Sequence, residues 1–116
     1  MNNGTGFAIN GSFSTGTINV MIVDSTAHSN STGFFVQSAS PHATTNVTLV
    51  NVKASNNNTG INVVGTGATA FLRHSTISGN PSDGYAVTSG GVLKSFSDNA
   101  IVDTTNLGSI AQLSLQ

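Results

Sequence analysis

A glycine recurs along the chain at nearly constant intervals, and this regularity constrains the fold more than any other feature. Successive positions are separated by 27, 27, 24 and 24 residues. Intervals of this length are typical of repeat architectures, in which each unit packs only against its neighbours. The recurring residues are Gly6, Gly33, Gly60, Gly84 and Gly108.

Each interval contains three short apolar segments separated by Gly, Ser, Thr and Asn. Within a segment, apolar and polar residues alternate with the two-residue period of a β-strand. Equivalent apolar residues from successive units are predicted to stack in columns. The first segment supplies Phe7/Phe34/Ile61/Tyr85 and Ile9/Val36/Val63/Val87, the second supplies Ile22/Leu49/Leu72/Phe96, and the third supplies Ala27/Ala54/Ile77/Ile101.

No single unit could bury its own apolar residues, but parallel stacking at about 4.8 Å would bury them in a shared interior. We therefore predict an all-β parallel β-helix, a solenoid of about four to five rungs. A leucine-rich repeat would need a dense leucine framework, which this sequence lacks. We expect one domain over residues 1–116, with a piece of a longer solenoid as the alternative.

An asparagine precedes most of the recurring glycines. Asn30 and Asn57 lie three residues upstream of their glycines, and Asn80 lies four upstream. Asparagine tolerates the positive φ that sharp bends often need. Stacked amide side chains can also hydrogen-bond from one rung to the next. We predict that Asn30, Asn57 and Asn80 form a structural asparagine ladder.

Composition excludes several classes of function. Only 6% of the residues are charged and the net charge is −1, which argues against a nucleic-acid partner. No apolar run is long enough to span a bilayer, so we expect no membrane partner. The absence of cysteine excludes disulfide and thiolate chemistry. We expect no cofactor, and no signal peptide is recognisable in this sequence.

The best candidate site is a polar column two residues beyond the second core segment. It comprises Asp24, Asn51, His74 and Asp98, with Arg73 beside His74. On adjacent rungs these side chains could contact a sugar hydroxyl or a metal, although solvated bend residues are the simpler interpretation. Asp24 and Asp98 would be about 14 Å apart, beyond the roughly 5–9 Å of a catalytic carboxylate pair. We therefore name no catalytic residue.

The histidines do not indicate a metal site. His28, His42 and His74 lack a metal-ligand spacing and fall in different predicted columns. Ser75 follows His74 directly, and neighbours on a strand point to opposite faces. A serine nucleophile activated by that histidine is therefore not expected.

The units Thr76-Ile77-Ser78-Gly79-Asn80 and Ala54-Ser55-Asn56-Asn57 resemble the repeats of right-handed, single-stranded parallel β-helix proteins. Such repeats occur in the pectate-lyase-like superfamily and in many bacterial β-helix proteins. The resemblance extends over nearly the whole chain and implies contact with polysaccharide, in a secreted or cell-surface setting. Enzymes of that superfamily have more rungs and clustered acidic residues, which this sequence lacks.

Two functions follow as hypotheses. The preferred one is a non-catalytic structural or carbohydrate-binding module. The alternative is a minimal or degenerate polysaccharide lyase or hydrolase that uses the polar column and Arg73. A solenoid also exposes core and unpaired backbone at each end unless a cap covers them. We therefore expect homo-oligomers formed through uncapped ends.

Overall fold

A computed structural model describes residues 3–11, 16–38, 44–96, 99–102, 106, 108 and 110–113. All regular structure in these ranges is β-strand, and none of it is helix. The described part of the chain consequently contains no helix with the length and apolarity needed to cross a membrane.

The first twelve strands follow one another through three sheets in a repeating order, and the last described strand returns to the second sheet. They are β1 (Asn3–Asn10), β2 (Thr17–Val23), β3 (Thr26–His28), β4 (Asn30–Gln37), β5 (Thr44–Val50), β6 (Lys53–Ser55), β7 (Thr59–Val64), β8 (Ala68–Arg73), β9 (Thr76–Ser78), β10 (Asp83–Thr88), β11 (Val92–Phe96), β12 (Ala100–Ile101) and β13 (Ala111–Leu113).

The first sheet has the order β1-β4-β7-β10, the second β2-β5-β8-β11-β13 and the third β3-β6-β9-β12. Every pairing between neighbours is parallel. The predicted all-β parallel solenoid is confirmed. Each sheet stacks four or five strands, and the chain makes about three complete turns. This is a small difference from the four to five predicted rungs.

The predicted core columns of the first and third sheets are confirmed by the strand register. Phe7 pairs with Phe34, Phe34 with Ile61, and Ile61 with Tyr85. The rings of Phe7 and Phe34 are stacked, with centroids 4.9 Å apart and planes 7° from parallel. Fully burying a side chain, as at Phe34 and Ile61, stabilises the fold by about 1.5–3 kcal/mol. The fully buried large side chains include Phe34, Val36, Val47, Leu49, Ile61, Val63, Leu72 and Ile77.

The column of the second sheet differs from the prediction in its last member. Ser95, and not Phe96, pairs with Leu72. Leu93 and Ser95 point into the core, whereas Lys94 and Phe96 alternate outward. An inward Phe96 would bring Lys94 inward as well, and burying an unpaired ammonium costs far more than burying a hydroxyl. The Ser95 hydroxyl donates to the carbonyl of Phe96 at 3.2 Å.

The glycine interval arises from a close approach between rungs. A Cβ on Gly33 would lie 2.6 Å from the carbonyl oxygen of Gly60 and 2.8 Å from Nδ2 of Asn57. Gly6 and Gly60 make the same approach to the glycine of the following rung. Gly108, the fifth member of the predicted series, has a different role. Its φ is +83°, and its added Cβ would collide with the carbonyl of Val87.

We expect Gly33→Ala to destabilise the fold by about 1–3 kcal/mol, because the new methyl group has no space between two rungs. Gly4→Ala is the matched control in β1, since nothing lies within 4 Å of its added Cβ. Urea unfolding of both variants measures the difference. Equal midpoints for Gly33→Ala and Gly4→Ala would contradict a steric origin for the repeat.

Candidate functional site

The polar column occupies the bend between the second and third sheets. Asp24, Asn51 and His74 each have a left-handed backbone there, with φ of 55°, 54° and 48°. This conformation is uncommon outside glycine, and Asn, Asp and His are several-fold enriched in it. All three side chains are exposed. The bend geometry therefore accounts for the polar identity of the column without any ligand.

Hydrogen bonds tie successive bends together. The amide of Asp24 donates to the carbonyl of Val50 at 3.0 Å, and the amide of Asn51 donates to that of Arg73 at 2.9 Å. Nδ2 of Asn51 also donates to Oδ1 of Asp24 at 2.6 Å. Hydrogen bonds to an ionised group are among the stronger ones in proteins. The column is therefore a preorganised surface rather than a set of independent side chains.

Asp98, the fourth predicted member of the column, lies outside the described residues. It was assigned two residues beyond Phe96 on the basis that Phe96 occupies the core column. Ser95 occupies that position instead, whereas Ala100 pairs with Thr76, two residues beyond His74, so the place of Asp98 in the polar column stays a prediction.

An open groove follows this corner along the solenoid axis, and we call it the corner groove. Its chemistry is mixed: hydroxyl, amide, carboxylate, ammonium and imidazole groups all border it. Within the described residues no cluster of three or more potential metal ligands exists, and the carboxylate in the groove lining is that of Asp24. The lining residues are Asp24, Ser25, Thr26, Asn51, Val52, Lys53, His74, Ser75, Thr76 and Ala100.

Arg73 lies on the outer face of the second sheet and not in the corner groove. Its guanidinium carbon is 5.2 Å from the centre of the Phe96 ring on the next strand. The Lys94 ammonium is similarly 5.4 Å from the centre of the Phe71 ring. Both are cation–π distances. The structure therefore brings Asp24, Asn51 and His74 together and leaves Arg73 on a neighbouring face.

Asn30, Asn57 and Asn80 lie in one buried column. Oδ1 of Asn57 accepts the amide hydrogen of Asn30, and Oδ1 of Asn80 accepts that of Asn57, each at 2.9 Å. Nδ2 of Asn57 donates to the carbonyl of Ala27, and Nδ2 of Asn80 donates to that of Ala54, each at 3.0 Å. Each of these two side chains thus satisfies backbone groups of the preceding rung.

The expectation that these asparagines adopt positive φ was wrong. The left-handed residues are the ones immediately before them, namely Ser29, Asn56 and Gly79, with φ of 61°, 55° and 69°. Asparagine is needed at the following position because its amide supplies one acceptor and two donors in a length that reaches the next rung.

A second interior polar column was missed in the sequence. Oδ1 of Asn99 accepts the amide hydrogen of Ser75 at 2.9 Å, and Nδ2 of Asn99 donates to the carbonyl of Leu72 at 2.6 Å. The buried Ser75 hydroxyl accepts from the amide of Val52 and donates to the carbonyl of Arg73. Since Ser75 and Asn99 are different residue types, no repeated letter marks this column. The Ser75 hydroxyl therefore has a structural role, because it is hydrogen-bonded to the backbone.

Comparisons with protein-family models, with curated proteins and with solved structures gave no match.

Removing the amide at the centre of the ladder should be costly. We expect Asn57→Ala to destabilise the fold by roughly 2–6 kcal/mol, because two buried backbone groups lose their partners at about 1–3 kcal/mol each. Asn58→Ala, on an exposed neighbour, is the control and should stay within about 0.5 kcal/mol of the parent chain. Denaturant unfolding compares them. Similar stabilities would show that the ladder contributes little.

The left-handed bend can be tested at His74. We expect His74→Val to be about 1–2 kcal/mol less stable than His74→Asn, because a β-branched residue is strained at positive φ. Thr76→Val, two residues on in β9, controls for the loss of polarity at a position outside the positive-φ set. Thermal unfolding provides the measurement, and equal melting temperatures for His74→Val and His74→Asn would refute the conformational explanation.

Proposed function

We propose that this chain is a rigid, non-catalytic β-solenoid module that binds carbohydrate along the corner groove and self-associates through its ends. One observation carries the carbohydrate proposal. The groove crosses successive rungs, and each rung presents polar side chains at an equivalent place, about 4.8 Å from the next. A linear glycan lying along the axis would meet hydrogen-bonding groups at regular intervals.

The groove also suits binding because its walls are already ordered. The bends on either side of Asn51 are held by inter-rung hydrogen bonds, and its side chain is fixed by Asp24. Ligand binding to preorganised groups costs less conformational entropy than binding to mobile ones. Hydroxyl-rich ligands match the mixture of donors and acceptors contributed by Thr26, Lys53 and Thr76.

The repeats' resemblance to the pectate-lyase-like superfamily and to bacterial β-helix proteins supports a polysaccharide as the ligand class. On this proposal the protein acts in a secreted or cell-surface setting, where such polymers occur. The resemblance concerns the fold and the repeat, and one fold supports many activities, so the groove chemistry has to supply the specificity.

The alternative, a minimal polysaccharide lyase or hydrolase, has less support. Hydrolysis uses two carboxyl groups on either side of the scissile bond, and Asp24 supplies the groove's carboxylate among the described residues. One of its oxygens is engaged by Asn51. Arg73, which the alternative enzyme would also use, packs on Phe96 outside the groove. These observations favour binding without cleavage.

Binding can be separated from folding at Asn51. We expect Asn51→Gly to keep the left-handed bend but to lose the amide, and thereby to weaken glycan binding at least tenfold, or about 1.4 kcal/mol. The parent chain is first screened against an array of linear polysaccharides, and its best ligand is then titrated by calorimetry. Asp83→Asn, on β10 and outside the groove, should bind like the parent.

The two functional hypotheses give different results in the same experiment. Binding without release of shorter products supports the module. Release of reducing or unsaturated ends that disappears in Asp24→Asn would support the enzyme instead. A saturating screen with no ligand would reject the carbohydrate part of the proposal.

A further inference from the structure

The outer face of the second sheet carries two of the chain's three lysine and arginine residues. Arg73 on β8 and Lys94 on β11 both point outward, and Lys53 is the third, at the corner groove. Among the described residues, the carboxylates belong to Asp24 in the corner groove and to Asp83 on β10 of the first sheet. In the part of the chain that the structure describes, this outer face therefore has positive charge and no carboxylate.

Each of the two cations lies against an aromatic ring of the neighbouring strand. The guanidinium carbon of Arg73 is 5.2 Å from the centre of the Phe96 ring, and the ammonium nitrogen of Lys94 is 5.4 Å from the centre of the Phe71 ring. One ring and one cation stand on each strand, so rings and cations alternate in both directions. We call these four half-buried side chains the aromatic–cation patch.

The aromatic–cation patch lies within the sheet and not at its edge. β8 pairs with β5 and β11, and β11 pairs with β8 and β13. Both strands are therefore hydrogen-bonded on both sides, and the patch presents side chains rather than open backbone. Next to it on β5, Thr48 pairs with Phe71 and Val50 pairs with Arg73, so a hydroxyl and an aliphatic group border the charges.

The position of the cations restricts the chemistry of a ligand. Nucleobases bind aromatic side chains by stacking on the ring face, and a stacked sugar ring needs the same face. Here a cation lies over a face of each ring. The ammonium and guanidinium groups offer only donors. A carboxylate is the matching acceptor, and it can pair with a guanidinium through two parallel hydrogen bonds.

The spacing of the charges points to an extended peptide. Phe71 and Phe96 are diagonal neighbours on adjacent strands, one strand and two residues apart, which corresponds to about 8 Å. The charges lie over these rings and have a similar separation. On an extended peptide, the side chains of residues i and i+2 share one face and lie about 6.7 Å apart. Two flexible acidic side chains at i and i+2 can therefore reach both cations.

We propose that the aromatic–cation patch binds an extended acidic peptide segment of another protein, with carboxylates at i and i+2 pairing with Arg73 and Lys94. The charge complementarity selects this occupant. An aliphatic side chain beside the carboxylates has Val50 to pack on, next to Arg73. Contact with a ring holds each cation in place before binding, which lowers the entropy lost on association. The surface is separate from the corner groove, so the inference goes beyond glycan binding and does not depend on it.

A matched pair of lysine variants tests the assignment. The probe is a threonine-rich synthetic peptide with two glutamates separated by one residue, titrated into the isotope-labelled chain and followed by NMR. Amide signals of β8 and β11 should shift. Lys94→Gln should weaken binding about fivefold, the upper range for an exposed ion pair. Lys53→Gln removes the same charge outside the patch and should bind the peptide like the parent. Circular dichroism verifies that both variants fold.

The peptide itself provides the test of spacing. A second peptide has the same composition but places its two glutamates next to each other. Neighbouring side chains of an extended chain point to opposite faces, so only one carboxylate can face the patch, and binding should weaken about fivefold. Raising the salt concentration from 0.1 M to 1 M shortens the screening length from about 10 Å to about 3 Å. Binding of the first peptide should weaken accordingly.

Several results would overturn the proposal. Absence of shifts at β8 and β11 at every peptide concentration would exclude the occupant. Equal weakening by Lys94→Gln and Lys53→Gln would show an effect of net charge and not of the patch. Equal affinity for the two peptides would reject the extended i, i+2 geometry. Tighter binding of oligogalacturonate or of a single-stranded oligonucleotide, lost in Lys94→Gln, would assign the patch to another class of polymer.

Discussion

The close approach of successive rungs governs the rest of this structure. Parallel strands stack about 4.8 Å apart, and that spacing leaves no space for a Cβ between the backbones at Gly6, Gly33 and Gly60. The same spacing is short enough for one asparagine amide to reach the backbone of the preceding rung. A uniform rung separation thus requires glycine at one place, asparagine at another and aligned apolar side chains between them.

Much of the fold could be predicted because equivalent positions in successive rungs have the same packing requirement. A column such as Phe34, Ile61 and Tyr85 is visible in sequence since similar residues return at similar intervals. Positions that meet the same packing or hydrogen-bonding requirement with a different residue type could not be predicted from the repeat. Ser95 occupies an interior position in a column of leucines, and the side chain of Asn99 accepts a hydrogen bond from Ser75 of the preceding rung. Neither residue type recurs at the equivalent positions of the other rungs.

The candidate site was only partly predictable for a related reason. The sequence placed Asp24, Asn51 and His74 at equivalent positions, but it gave no sign that their backbones are left-handed. Steric tolerance of that conformation and affinity for a ligand select overlapping sets of residues. Polarity alone therefore could not distinguish a binding surface from a bend. The path of Arg73 toward Phe96 depended on the strand register, which shifted by one residue at β11.

The corner between the first and second sheets takes up four residues of the change in repeat length, and the bend before β10 regains one of them. Seven residues lie between Gln37 and Thr45, whereas three lie between their partners Val64 and Ala68, yet the strands on both sides keep their pairing. Chain can thus be added or removed here without disturbing the stacked interior. This corner is the natural place to graft a foreign peptide for display, and evolution could diversify the molecule there at little cost to its stability.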